Sequence, residues 1–498
     1  MVNFKVKDMD ISTGGPLVVY LNEKDAKILD LHTSDRIKVY KNGRVETAMI
    51  DIARSARAVP LGSIGLCEEV LKSIKAKSGD KVKAVLAGKP LSIEYIKRKL
   101  DGFSLSKAQI EQIVWDIVHH KLTDIEMTYF VAASYSRNMT IKETAYMTKA
   151  MASQGDTLKI KKHPIMDKHC VGGVAGNRTT PIIVPIAAAA GLIVPKTSSR
   201  SITSPAGTAD TMEVLTNVAL DIKKMEKVVL KTNACMVWGG SLNLAPADDM
   251  IIKVEKPLMI DAKSQLLASV MAKKASVSAT HVLVDIPFGR GSKIESTEKA
   301  MILKKDFEQI ARALKMKVKV ILTDGKQPIG RGIGPALEAR DLLYLLKNDE
   351  RMPMDLRKKS ITLAGTLLEM GRKAKPGRGG ALAQSLVESG EAYKKMIEII
   401  KAQGKKITNP SRIKLGNYTY EHKASRGGRV RHISNECVSK IARIAGAPED
   451  KGAGIYLHHH VGDKVKKGEK LFTIYAHSEQ ELGFAVEACS KIDGFVVR

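Results

Sequence analysis

One stretch limits what this chain can fold into more than any other: Asp167-Lys168-His169-Cys170-Val171-Gly172-Gly173-Val174-Ala175-Gly176-Asn177-Arg178-Thr179-Thr180. A lysine and a histidine precede a glycine cluster, and two threonines open a long apolar, helix-like run. Glycine lets backbone N–H groups come close to an anion, and the N-terminus of a following helix adds its positive dipole end. Lysine supplies a point charge and threonine a short hydroxyl donor. The combination suits a phosphate, although a glycine turn taken alone is equally a structural one.

A second polar loop, Ser198-Ser199-Arg200-Ser201-Ile202-Thr203-Ser204-Pro205-Ala206-Gly207-Thr208, follows the strand-like Leu192-Ile193-Val194-Pro195 and precedes the helix-like Met212-Glu213-Val214-Leu215. Strand, polar loop and helix thus recur twice within a short span, as ligand loops do at strand ends in an open α/β sheet. By composition the loop could also be a solvated Ser/Thr turn. Apolar runs at His281–Ile286 and Val318–Leu322 read as further buried strands of a largely parallel sheet.

With 498 residues the chain exceeds the roughly 250–300 at which single cores stop growing, so several domains are expected. Residues 1–85 read as a small β-rich domain, with Asn42-Gly43 between alternating segments as a hairpin turn. Residues 86–155 turn helical: Ile110, Ile113, Val114, Ile117 and Val118 share a face, as do Met127, Phe130 and Val131. Ser104 and Ser106 are candidate N-caps, Thr123 a helix start, and Thr140 with Glu143 has capping-box spacing. Residues 156–412 form the α/β lobe, and 413–498 a C-terminal α+β domain.

The formal net charge of +28 admits nucleic acid or anionic small substrates as partners. The 81 Lys and Arg are scattered among acids along the whole length, with no basic tail or zinc pattern, which favours the small anion. Five separated cysteines without a Cys-x-x-Cys indicate neither a zinc site nor a disulfide framework. The opening Met1-Val2-Asn3-Phe4-Lys5 has no apolar leader, and no run approaches 18 apolar residues, so a cytoplasmic protein is expected. His458-His459-His460 could suggest a metal, but neighbours in a strand face opposite ways and do not converge. Gly330-Arg331-Gly332-Ile333-Gly334 lacks the spacing of a dinucleotide fingerprint and reads as a tight loop.

The two polar loops resemble the phosphate-site signatures of the thymidine and pyrimidine nucleoside phosphorylases. The likeness extends through Asp101–Ser106, Leu244–Asp248, Ser269–Lys274 and Gly462–Gly468, roughly residues 93 to 490 in the family's order. The N-terminal extension and the Cys170-Val171 variant point to the archaeal AMP phosphorylase branch. The resemblance implies a helical lobe and an α/β lobe with an active-site cleft between them, and a homodimer core enlarged through the N-terminal domain. It also implies phosphorolysis of a nucleoside 5′-monophosphate, AMP first and also CMP or UMP, to the base and ribose 1,5-bisphosphate. No metal or other cofactor is expected, phosphate being a co-substrate.

By the same resemblance, Lys168, Gly172, Gly173, Thr180, Ser198, Ser199, Arg200, Ser201, Ile202, Thr203, Ser204, Thr208, Ser269, Lys273 and Lys293 bind nucleotide or phosphate. Asp261 donates a proton to the departing base, and His169 is a second catalytic candidate. A carboxyl beside an apolar helix can hold its proton near neutrality through desolvation. Ser269 and Lys273, at i and i+4, share a helix face. The arginine that accompanies this pair in the pyrimidine enzymes aligns with Val254, which argues against thymidine as substrate. A plain pyrimidine nucleoside phosphorylase is the enzymatic alternative, and a basic nucleic-acid-binding scaffold the non-enzymatic one.

Overall fold

Asn42 and Gly43 both take positive φ, 47° and 77°, the left-handed pair that a two-residue hairpin requires. The turn joins β3 (Arg36–Lys41) to β4 (Arg44–Ala53), which pair antiparallel. With β1 (Val2–Asp8), β2 (Val18–Asn22), β5 (Ser63–Leu66) and β6 (Lys81–Ala87) they close a barrel of order β1-β5-β2-β4-β3-β6. Alternate residues fill its interior, among them Phe4, Val6, Val19, Leu21, Ile37, Val39 and Ile50. Closure removes the free edges that would otherwise invite strand pairing with another chain. Two short helices, α1 (Glu23–Ile28) and α2 (Glu68–Ile74), complete this part.

The computed structural model describes residues 1–498 except 202–203, 259, 261, 405–406 and 492–493. The chain divides into two units, residues 1–154 with 245–269, and residues 155–244 with 270–498.

In the first unit the barrel is joined to α3 (Leu91–Leu100), α4 (Lys107–Val118), α5 (Asp124–Arg137) and α6 (Ile141–Ser153). Ser106, Thr123 and Thr140 each form a reciprocal capping box with Gln109, Glu126 and Glu143. Glu143 also takes Lys99 in a buried ion pair at 3.0 Å and accepts the Leu105 N–H at 2.8 Å. Arg36 of the barrel pairs with Glu126 at 2.5 Å and donates to the Lys121 carbonyl.

Residues 245–269, assigned above to the α/β lobe, belong to this first unit. The reason is amphipathicity: α10 (Pro246–Leu258) buries Ile251 and Val254 and packs on α4, α5 and α6.

The second unit holds the parallel sheet. β7 (Met166–Cys170) pairs with β10 (His281–Phe288), which pairs with β11 (Lys317–Asp324), both parallel. β8 (Val194–Ser198) runs parallel to β9 (Ala234–Trp238), and an Ile165–Ile193 bridge continues the order from β7 to β8. Crossover segments include α7 (Thr180–Ala189), α8 (Thr208–Leu215) and α9 (Ile222–Thr232), then α11 (Lys263–Ser276) and α12 (Thr297–Ala313). Helix α7 is buried almost throughout, its Ile182, Ile183, Val184 and Ile186 entering a core shared with α13 (Pro335–Leu346), α14 (Met354–Met370), α15 (Gly379–Glu388) and α16 (Glu391–Ala402).

The expected tight loop at 330–334 contains a two-residue strand, β12 (Gly332–Ile333). The C-terminal strands are β13 (Tyr418–Lys423), β14 (Gly428–Ile433), β15 (Gly454–Leu457), β16 (Lys464–Val465), β17 (Lys470–Ala476) and β18 (Phe495–Val497). They form sheets β12-β15-β17-β13 and β16-β14-β18, with α17 (Asn435–Ile444) and α18 (Glu479–Lys491) packed together. Pairing of Gly332 with Tyr456 brings β12, from the segment between β11 and α13, into the C-terminal sheet. No helix among the described residues is long and apolar enough to cross a membrane.

Removing the Thr140 cap should cost about 1 kcal/mol, the usual loss at an N-cap. Thr140→Ala is therefore expected to lower the urea midpoint of the transition that reports the first unit. An unchanged midpoint would mean that the box carries no stability.

Candidate active site

Successive side chains of a strand face opposite ways, and β7 uses both faces for buried charge. Lys168 and Cys170 project to one side, Asp167 and His169 to the other.

On the first side Lys168, 1% exposed, donates to Thr179 Oγ1 at 2.7 Å and reaches Thr180 Oγ1 at 3.4 Å. The Asp285 carboxylate of β10 lies 3.9 Å from Lys168 Nζ and 3.3 Å from Lys359 Nζ of α14, and accepts from Thr323 at 2.6 Å. Burial opposes charge here, yet Lys168 and Lys359 together hold the Asp285 carboxyl below its usual range. Burial likewise pushes Lys168 down, with Asp285 working against that shift. Two ammonium groups face one carboxylate, so an incoming anion would balance the surplus positive charge.

On the second side Asp167, fully buried, takes Lys274 of α11 at 2.8 Å and Lys196 of β8 at 3.2 Å. Burial is outweighed by these two lysines, and the Asp167 carboxyl stays below its ordinary value. The Lys274 ammonium is itself pushed down by burial against the pull of Asp167. His169 lies on the same face of β7, held well below the imidazole range by burial and by Lys274, Lys196, Lys168 and Lys273. Its ring is therefore neutral near pH 7.

After β7 the chain turns through Gly172 and Gly173, with φ of 92° and 88°. A Cβ on Gly173 would collide with the backbone nitrogen of Lys293, so the loop after β10 packs directly on the glycine loop. Farther along, the Ala175 N–H donates to Asn435 Oδ1 at 3.0 Å. Arg178 pairs with Glu338 of α13 and donates to the Ala206 carbonyl at 2.7 Å, binding the glycine loop to the second polar loop. The side chain of Thr179, the N-cap of α7, accepts no capping N–H, and the N-cap of α8 is Gly207, with Thr208 the first residue of that helix.

The second loop leaves the end of β8 at Ser198, whose Oγ is buried. Ser199 is exposed at the surface and accepts the Ala209 N–H at 3.3 Å, which brings it beside Thr208. Asp210 accepts the N–H groups of Ser201 and Gly207 at 2.7 and 2.9 Å, fixing the curve of the loop. Ser201 and Ser204 bond within the loop. The Arg200 guanidinium is engaged internally: Glu213 takes both its terminal nitrogens at 2.6 Å, Asp210 adds a bond at 3.2 Å, and the Trp238 ring lies 4.7 Å away. These partners hold Arg200 within the loop.

Ser269 and Lys273 both lie on α11; Ser269 donates to Asp248 at 2.9 Å, and the charge of Lys273 acts on His169. Ile202, Thr203 and the expected proton donor Asp261 lie outside the described residues. The three histidines take different partners: His458 meets Thr473, His459 lies near Glu469, and His460 reaches Asp355 at 3.0 Å. Sequence reading missed Asp285, Lys359, Lys196, Lys274, Arg178, Glu338, Asp210 and Asn435. Only Asp285 carried a signal, as the lone charge inside the apolar run His281–Phe288.

With this geometry in hand, comparison with known proteins gives three matches along the chain. Residues 93–155 match the helical bundle domain and 162–393 the a/b domain of the glycosyl transferase family, and 429–492 the C-terminal domain of pyrimidine nucleoside phosphorylase. The AMP phosphorylase of Pyrococcus furiosus is 46% identical over 99% of this chain and 98% of its own length. That of Methanocaldococcus jannaschii is 43% identical over 100% and 99%. A putative thymidine phosphorylase of Legionella pneumophila is 42% identical over 97% and 93%. Among solved structures, the anthranilate phosphoribosyltransferase of Thermus thermophilus shares the fold, with a TM-score of 0.53 at 18% identity, over 62% of this chain and 98% of that one.

Gly173→Ala should weaken binding of inorganic phosphate by about tenfold in calorimetry, since strain of this kind costs about 1–3 kcal/mol. Wild-type affinity would mean that the close approach to Lys293 is unimportant. His169 gives a second expectation. Between its depressed folded value and about pH 6.5 the unfolded chain binds a proton that the folded chain does not, so stability rises with pH across that window. His169→Gln should flatten that slope in denaturation followed from about pH 5 to 6.5, and an unaltered slope would contradict the assignment.

Proposed function

The chain belongs to the AMP phosphorylases, within the glycosyl transferase family, and we propose that it converts AMP and phosphate to adenine and ribose 1,5-bisphosphate, accepting CMP and UMP as well. The observation that carries this reading is the buried Lys168 beside Thr179 and Thr180, at the foot of a glycine loop whose conformation only glycine readily adopts.

In the proposed reaction an oxygen of the bound phosphate attacks C1′ of the ribose. The bond from C1′ to the base nitrogen breaks, its electron pair leaves with the base, and a proton is delivered to the base. Phosphate is already a competent nucleophile, so the protein's contribution is positioning and charge stabilisation. Lys168, the amides around Gly172 and Gly173, and the hydroxyls of Thr180, Ser198 and Thr208 would hold it. The 5′-phosphate would lie against the Ser199–Ser204 loop and Lys293, received by backbone N–H groups and hydroxyls, with Arg200 keeping the loop in shape.

Asp261 takes the role of proton donor from the family resemblance. His169, neutral in this environment, would orient substrate through a hydrogen bond. Replacing Asp261 by Asn should reduce turnover by roughly 10²–10⁴, the range for a general acid. Near-normal turnover would remove Asp261 from the reaction.

The barrel is proposed as the element that enlarges a homodimer into a higher oligomer. The cytoplasm is the proposed location.

A pyrimidine nucleoside phosphorylase is the second reading, favoured by the Legionella relative. Against it, the pyrimidine enzymes' arginine is replaced by Val254, which is buried on α10. Chromatography of the bases released from AMP, adenosine and thymidine, with and without phosphate, separates the two. Phosphate-dependent adenine from AMP alone is expected, and release from thymidine in its place would establish the second reading.

A further inference from the structure

A separate basic cavity of about 630 Å³ is lined by Arg290, Arg431, His432, Ser434, Cys437 and Arg498, none of which belongs to the site described above. Arg290 comes from the loop after β10, Arg431 and His432 from β14, and Arg498 follows β18. Unlike Arg178 and Arg200, none of these three guanidiniums is paired with a carboxylate among the described residues. Ser434 caps α17, accepting the Cys437 N–H at 3.2 Å, so the positive end of that helix also opens on the cavity.

Guanidinium groups present paired donors that match phosphate oxygens, and three of them exceed what a single monoanion needs. The volume lies within the roughly 300–1,000 Å³ of small-molecule sites.

The cavity is wired to the glycine loop by two routes. Arg290 is three residues before Lys293, whose backbone nitrogen abuts Gly173. Asn435, next to Ser434 and 3% exposed, accepts from the Ala175 N–H at 3.0 Å and donates to the Gly325 carbonyl at 2.9 Å.

We propose that this cavity is a second anion site, that it takes a small ligand carrying two or more phosphate groups, and that its occupant orders the glycine loop through Asn435 and the Arg290–Lys293 loop. Neither half depends on the identity of the base cleaved at the first site.

The test uses the full chain with inorganic pyrophosphate as probe, read by calorimetry and by hydrogen exchange of the peptide containing Ala175. The double variant R431Q/R498Q should bind pyrophosphate at least about tenfold more weakly. A control that removes two exposed charges elsewhere, K83Q/K142Q, should bind as the unsubstituted chain does. Pyrophosphate should slow exchange at the Ala175 peptide in the unsubstituted chain and not in R431Q/R498Q. Absence of binding, equal affinity in R431Q/R498Q, or an equal loss in the control would overturn the site. Binding that leaves exchange at Ala175 unchanged would overturn the coupling.

Discussion

Burying an ammonium group is costly unless a partner and hydrogen bonds compensate it, and Lys168 is buried at the centre of β7 in a parallel sheet. Its compensation comes from Asp285 on the neighbouring strand and from Thr179 and Thr180 at the entrance to α7. Each partner fixes something larger. Asp285 must sit just past the middle of β10, which sets the register with β7, His169 opposite Val284 and Cys170 opposite Asp285. The threonines must stand where α7 begins, which sets the length and curve of the glycine loop. The opposite face of β7 repeats the pattern with Asp167, Lys196 and Lys274, so a single strand organises two buried ion clusters.

Two cations face one carboxylate around Lys168, a surplus that opposes burial and that a bound dianion, under the proposed function, would offset. Such a site is preorganised: its donors are already desolvated and are fixed by β7, α7 and α14. The glycine loop adds reach. Positive φ at Gly172 and Gly173 brings backbone against backbone at Lys293, and the Arg178–Glu338 pair links that loop to the hydroxyl-rich one. Phosphate chemistry in this protein thus rests on long-range pairing as much as on its motifs.

That division explains what could be read from the sequence. Local features were legible: the Asn42-Gly43 hairpin, the helix start at Thr123, the capping box at Thr140, and the strands expected at 281–286 and 318–322 all depend on neighbours a few residues away. The glycine turn was legible because positive φ at Gly172 and Gly173 favours that residue type. Asn435 and Ala175 are 260 residues apart, and Arg178 and Glu338 are 160 apart, so no spacing rule could have joined them. The partners of Arg200 were hidden for a related reason, since a lone arginine in a serine-rich loop gives no hint that Glu213 of α8 will pair with it. Residues 245–269 were assigned by chain order, whereas the apolar face of α10 decides their place.

The central claim is that phosphate, held at Lys168, is the nucleophile that takes the sugar from the base. Supplying AMP together with ¹⁸O-labelled inorganic phosphate and weighing the sugar product by mass spectrometry tests it directly. A ribose bisphosphate carrying the heavy oxygens is the predicted product. Adenine release accompanied by unlabelled ribose 5-phosphate would show that water attacks instead, and would contradict the role given to Lys168 and the glycine loop.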